Sequence, residues 1–181
     1  MKLFAIVGTN ADFSYNRILL KYIQKKFSKQ AEIEICELTE LPAFCEDDDL
    51  NNYSELVDIE KKITAADGII ISTPEYDHAI PAALKSLLEW MSYKVHPFKA
   101  KPVMVVGASY GTQGASRAQL QLRQILVCPE IDAYVLPGNE FLLGNTAKAF
   151  DKLGNLTEKV EDQKLQNCFN DFIDYINHFH R

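Results

Sequence analysis

Residues 67–73 read DGIIIST, and this run decides the fold. Three consecutive isoleucines leave no polar face, so the segment reads as a strand buried on both sides, as in a parallel sheet with helices on each face. Working outward, residues 73–81 (TPEYDHAIP) form a polar loop bracketed by Pro74 and Pro81. Leu84, Leu87, Leu88 and Met91 then recur at helical spacing, with Pro81 suited to a first helical turn. The same strand–loop–helix order repeats on either side. The apolar run Lys2–Val7 breaks at Gly8, and Ile18, Leu19, Tyr22, Ile23 and Phe27 share one helical face after about Ser14. Residues 32–38 alternate as a half-buried strand, 45–52 form a polar acidic loop, and 53–66 a helix with Leu56, Ile59 and Ile63 inward. Residues 102–106 make a buried strand ending at Gly107. The helix at 116–127 is expected to turn Leu120, Ile125 and Leu126 inward. Residues 131–136 give a fifth strand, and a last helix carries Leu165, Phe169, Phe172, Ile173 and Ile176 on one stripe.

Five strands alternating with helices predict an α/β fold, a doubly wound parallel sheet built from βαβ units. The 181 residues suit a single domain over 1–181. Apolar residues at 47% and charged residues at 24% exclude wholesale disorder and coiled-coil architectures. A net charge of −6 argues against coating nucleic acid or an anionic membrane. No apolar run is long enough for membrane insertion. Cys36, Cys45, Cys128 and Cys168 are scattered without a CxxC pair, so neither a metal site nor a disulfide framework is expected, and a cytoplasmic location is.

In such sheets ligands sit beyond the carboxyl ends of the strands, where the strand order switches. That points to the loops 8–17, 73–81 and 107–117. Residues 8–17, GTNADFSYNR, follow a strand and open a helix, whose first N–H groups lack partners and favour an anion. Thr9, Ser14, Asn16 and Arg17 could hold a phosphate; equally, Ser14 could be an N-cap and Arg17 a surface charge. Neither the Walker pattern nor GxGxxG is present. In 73–81, Tyr76 could lie along a planar ring, with Glu75, Asp77 and His78 held beside it. In 107–117, GASYGTQGASR, Gly107, Gly111 and Gly114 would let backbone N–H groups approach a ligand closely.

The segments GTNADFSYNR, TPEYDHAIPAALKSLLEW and GASYGTQGASRAQLQLRQIL, in that order and spacing, resemble the NADPH-dependent FMN reductase family. The similarity runs from Lys2 to about Asn155 and includes EFLLGN at 140–145. It implies a flavodoxin-like sheet with strands ordered 2-1-3-4-5 and a non-covalent FMN. The phosphate would sit on Thr9, Ser14, Asn16 and Arg17. Pro74, Glu75, Tyr76 and Asp77 would border the ribityl chain and ring, and Ser109, Tyr110, Gly111 and Gly114 the other side. NADPH or NADH would pass hydride to the flavin, which would then reduce a small-molecule acceptor such as a quinone, azo compound or free flavin. The resemblance also implies a homodimer or homotetramer, with Arg117 at a subunit contact.

The sequence departs from the family pattern where Ala11 replaces an arginine, Asp77 an asparagine and Ala79 a serine. No catalytic side chain is assigned, because the chemistry belongs to the flavin; Tyr76, His78 and Tyr110 are candidates to shape the acceptor pocket. Two other classes stay open. One is a flavodoxin-type electron carrier without direct NAD(P)H oxidation, and the other a flavin-free interaction protein on the same fold.

Overall fold

The apolar runs converge on one parallel sheet in a computed structural model that describes residues 1–179. Its strands are β1 (Lys2–Val7), β2 (Glu32–Cys36), β3 (Gly68–Ser72), β4 (Pro102–Ala108), β5 (Tyr134–Val135) and β6 (Phe141–Leu143). The order is β2-β1-β3-β4-β5, with β6 also pairing β4. Register places Ile6 beside Ile71, and Ile71 beside Val105. All residues of β3 and β4 are buried, the expected result for strands covered on both faces.

The helices are α1 (Tyr15–Lys26), α2 (Ser54–Ala65), α3 (Ala82–Tyr93), α4 (Ser116–Leu126), the short α5 (Thr146–Ala149) and α6 (Lys159–Phe179). Alternation along the strands divides the core in two. Leu3, Ala5, Val7, Ile70 and Met104 face α1 and α6, whereas Phe4, Ile6, Ile69, Ile71 and Val105 face α2, α3 and α4. This is the doubly wound, flavodoxin-like arrangement. Pro81 stands just before α3 as its N-cap, its fixed φ of −60° leading into the helix.

Two expectations change. The fifth strand, read as 131–136, is reduced to Tyr134–Val135. Residues 131–133 belong to the turn after α4: the Ile131 and Asp132 N–H groups donate to the Cys128 carbonyl, the Ala133 N–H donates to the Leu126 carbonyl, and Asp132 has φ 53°. Beyond Val135, Arg123 of α4 takes the carbonyls of Leu136 and Asn139, each at 2.8 Å, and Pro137 has no N–H to donate. The chain rejoins the sheet three residues at a time as β6, where Phe141, Leu142 and Leu143 pair with Val106, Gly107 and Ala108. Leu120, expected inward, is 67% exposed. The buried face of α4 is Ala118, Gln119, Leu122 and Leu126, and Leu120 lies about 200° around the helix from Ala118.

The terminal helix belongs to the core. Phe169 stacks on Phe27 with ring centroids 3.7 Å apart, and both are fully buried. Phe169→Ala is expected to cost about 3–5 kcal/mol, read as a lowered denaturant midpoint.

Candidate active site

A cavity of about 370 Å³ opens at the carboxyl ends of β1, β3 and β4. Strand order reverses beside β1, so the helices that follow β1 and β3 lie on opposite faces and leave a crevice between their loops. Its walls come from 13–16, 74–76 and 108–115. Of the twelve candidate binding residues, Ser14, Asn16, Pro74, Glu75, Tyr76, Ser109, Tyr110 and Gly111 line it. Thr9, Arg17, Asp77 and Gly114 stand behind or beside the wall.

Ser14 is the N-cap of α1: its extended backbone enters the helix and its hydroxyl accepts from the Arg17 N–H. Among the described residues, no backbone carbonyl accepts from the N–H groups of Asp12 through Asn16. Those of Ser14, Tyr15 and Asn16 are the orphans of a helix start, those of Asp12 and Phe13 belong to the loop before it, and the macrodipole makes the spot favourable for an anion. Asn16 is buried and tied inward. Its Oδ1 accepts from the Ala108 N–H and from the Ser72 hydroxyl, both at 2.9 Å, and its Nδ2 donates to the Ala108 carbonyl at 3.0 Å. Thr9 is also buried; its hydroxyl accepts from the Ala11 N–H and lies 3.0 Å from the Tyr76 hydroxyl. Arg17 is paired with Glu37 through Nε at 2.7 Å and Nη2 at 2.8 Å.

The 73–81 loop closes as a tight turn. Tyr76 and Ala79 exchange backbone hydrogen bonds of 3.0 and 2.9 Å, with Asp77 at φ 50° and His78 at φ 65° between them. Two successive left-handed residues define a type I′ turn, in which Asn, Asp and Gly are favoured. Asp77 therefore sits where the backbone suits a short polar side chain, and the turn holds Tyr76 at the cavity edge while His78 is exposed outside the wall. Glu75 caps α4, its Oε2 accepting from the N–H groups of Arg117 at 2.9 Å and Ala118 at 3.3 Å. Arg117 Nη1 adds an ion pair at 3.3 Å.

The third wall is braced by the segment after β6. Asn145 N–H donates to the Gly111 carbonyl and Thr146 N–H to the Ser109 carbonyl. Gly114 has φ +58°, and a Cβ there would run into the Leu142 backbone, so the protein itself demands glycine. Gly111 differs: a Cβ would meet nothing within 4 Å, on a residue that lines the cavity. Phe13, Tyr15 and Gln113 also line the cavity and were not among the expected residues. Tyr15 is a hub, edge-on to Phe13 at 5.0 Å and to Tyr110 at 5.1 Å. The aromatic pair flanking Ser14 in the sequence was the available signal. Phe13 at 61% and Tyr110 at 69% exposure leave two aromatic side chains of the wall open to solvent.

Burial alone would raise the Glu75 carboxyl, but the Ala118 and Arg117 N–H groups with the Arg117 side chain outweigh it and hold it below 4.5. Ionised Glu75 therefore stabilises the fold fully above its ordinary value, and this contribution is lost as pH falls through the depressed one. As pH falls below the ordinary glutamate range, the wild type should lose stability more steeply than Glu75→Gln, as read from denaturant midpoints over an acid series.

A family profile described as NADPH-dependent FMN reductase matches residues 1–148. The chain is 49% identical over 173 residues to the NADH:(hydroxy)cinnamate reductase subunit CrdA of Vibrio ruber, covering 96% of this chain and 86% of that protein. It is 48% identical over 181 residues to the NADH-dependent flavin reductase subunit 2 of Lactobacillus johnsonii, covering 97% of each. Among solved structures it resembles FerB, an NAD(P)H:(acceptor) oxidoreductase of Paracoccus denitrificans, with a TM-score of 0.78, 26% identity, and coverage of 98% of this chain and 97% of that one. Among the described residues no helix is long and apolar enough to cross a membrane. The matched residues include every strand of the sheet and all three loops of the crevice, and the chain belongs to the NADPH-dependent FMN reductase family and is an oxidoreductase that works with FMN and a nicotinamide nucleotide.

Proposed function

We propose that this protein oxidises NADH through an FMN seated in the cavity at the strand-order switch and delivers the electrons to a planar, neutral acceptor. The observation that carries the reading is the composition of the cavity wall. Among the described residues it offers unpaired N–H groups at the helix start, exposed aromatic side chains, and no Lys or Arg. The wall residues fit FMN. Ser14 and the N–H groups of residues 12–16 suit one phosphate. Gly111 has open space where any side chain would intrude, and no protein contact accounts for it. Pro74, Glu75 and Tyr76 on one side and Ser109 and Tyr110 on the other would border the rest. Held by these residues, FMN would supply the redox chemistry between the nicotinamide and the acceptor.

The chain's own residues explain the preferences. A 2′-phosphate on the nucleotide would need a charged partner. Arg17 and Arg117 are already paired, with Glu37 and Glu75. Both relatives at 48–49% identity are also named as acting with NADH. Tyr76 and Tyr110 present ring faces that favour stacking with a flat aromatic acceptor over a compact ion. Those two relatives are also named as subunits, which supports a second reading for the acceptor: a redox group in a partner subunit, with this chain as the NADH-oxidising half.

Anaerobic titration of the FMN-loaded protein with each nucleotide, followed at the visible flavin band, tests the proposal. Bleaching by NADH is expected, with kcat/KM exceeding that for NADPH by about tenfold or more, the value of one missing charge-assisted hydrogen bond. Bound flavin that neither nucleotide bleaches would instead mark an electron carrier. Gly111→Ala should weaken FMN binding by about tenfold, roughly 1.4 kcal/mol, while leaving the unfolding midpoint of the ligand-free protein within about 0.5 kcal/mol of wild type.

A further inference from the structure

The sequence offers Arg17 as the natural cation for a phosphate at the start of α1, and the geometry points elsewhere. Three of its guanidinium N–H groups are committed. Nε and Nη2 clasp the two oxygens of Glu37 at 2.7 and 2.8 Å, and Nη1 donates to the Asp12 carbonyl at 2.8 Å. The side chain is 14% exposed and forms no part of the cavity wall. We infer that Arg17 and Glu37 form a strut that positions the 9–14 loop from outside, so that a phosphate at α1 is held by backbone N–H groups with no cation in contact. The inference rests on the proposed placement of the FMN phosphate at that loop.

The physical case begins with the peptide unit. In a trans peptide the carbonyl and the following N–H point in opposite directions. Arg17 draws the Asp12 carbonyl toward itself, so the Phe13 N–H is turned away from Arg17. Phe13 is a cavity-wall residue, and no backbone carbonyl accepts from its N–H. Glu37 follows directly on β2, which lies beside β1 with Cys36 paired to Ile6. The strut therefore anchors the loop after one strand to the end of the neighbouring strand. A planar fork clasping a carboxylate has a fixed direction, which a lysine could not reproduce. Two further ties complete the loop: Thr9 Oγ1 accepts from Ala11 N–H at 3.2 Å, and Ser14 Oγ from Arg17 N–H at 3.3 Å. The loop is pinned at its start, middle and end by side chains that leave its N–H groups from Asp12 onward free for an anion.

A strut and a ligand behave oppositely when Glu37 loses its charge. FMN affinity is measured by fluorescence quenching of the ligand-free full chain over a salt series, for wild type, Arg17→Ala, Arg17→Lys and Glu37→Gln. Amide exchange across residues 11–16 is followed in the same ligand-free proteins. For a strut, Glu37→Gln and Arg17→Lys each weaken FMN by about tenfold, as Arg17→Ala does, all three speed exchange in the loop, and the salt dependence of binding is the same in Arg17→Ala as in wild type. The inference is overturned if Glu37→Gln binds FMN as tightly as wild type or more tightly, if Arg17→Lys retains wild-type affinity, or if Arg17→Ala flattens the salt dependence. Should wild type bind no FMN, the placement of the flavin fails, and the exchange rates still decide the strut: unchanged rates in the variants sink it. Circular dichroism confirms that each variant is folded.

Discussion

The buried amide of Asn16 holds the site together. Its one side chain joins the helix that follows β1 to the ends of β3 and β4, accepting from Ser72 and Ala108 and donating to Ala108. Only an amide offers a fixed acceptor and a fixed donor side by side. A carboxylate would accept the same two hydrogen bonds and confront the Ala108 carbonyl with a negative charge. At full burial each unmade bond costs about 1–3 kcal/mol, so the three loops are locked in mutual distance by chemistry rather than by packing alone. The crevice at the strand-order switch is a topological consequence; its dimensions are set by this clamp.

From that clamp the walls follow in turn. Glu75 spends its carboxylate on the N-terminus of α4, which fixes the loop after β3 against the helix after β4. The type I′ turn at Asp77 and His78 then returns the chain and sets Tyr76 at the mouth. The glycine-rich loop is held from behind by Asn145 and Thr146, and by Gln119, whose Nε2 reaches the carbonyls of Gly114 and Phe141. In each case a side chain or a carbonyl does the bracing. The N–H groups at the start of α1 are left unspent, and an anion site needs those free donors.

Much of this was legible before any coordinates. The strands β1, β3 and β4 announce themselves because burial on both faces removes every polar residue from them, and the loops after them stand out by contrast. The motif order identified the family for the same reason. What stayed hidden depends on pairing across distance. The fifth strand is shorter than its apolar run because residues 131–133 bond back to Leu126 and Cys128 at the end of α4, and because Arg123, thirteen and sixteen residues from its partners, takes the carbonyls of Leu136 and Asn139. Leu120 faces outward against its apolar character because a polar residue, Gln119, occupies the buried face of α4, where periodicity expects an apolar one. Aromatic residues beside an N-cap, as Phe13 and Tyr15 are, read as local packing; only the fold shows that they wall the cavity.

Charge is where sequence reading is weakest, and the site shows why. A count near α1 finds an arginine and suggests a positive spot. With Glu37 clasped at 2.7–2.8 Å, that charge becomes one end of a short dipole, whose field falls off much faster than that of a free ion. Salt screens what remains over about 8–10 Å. Glu75 is cancelled in the same way by Arg117 and the α4 amides. The cavity is left nearly uncharged, with directed N–H dipoles at one end and aromatic faces at the other. Dipoles act strongly at hydrogen-bond range and weakly beyond it, so such a site can grip one phosphate placed against the helix start without drawing further anions to the mouth. A resident phosphate and a succession of neutral, flat partners can then share one crevice, because the forces that hold the first do not reach the second.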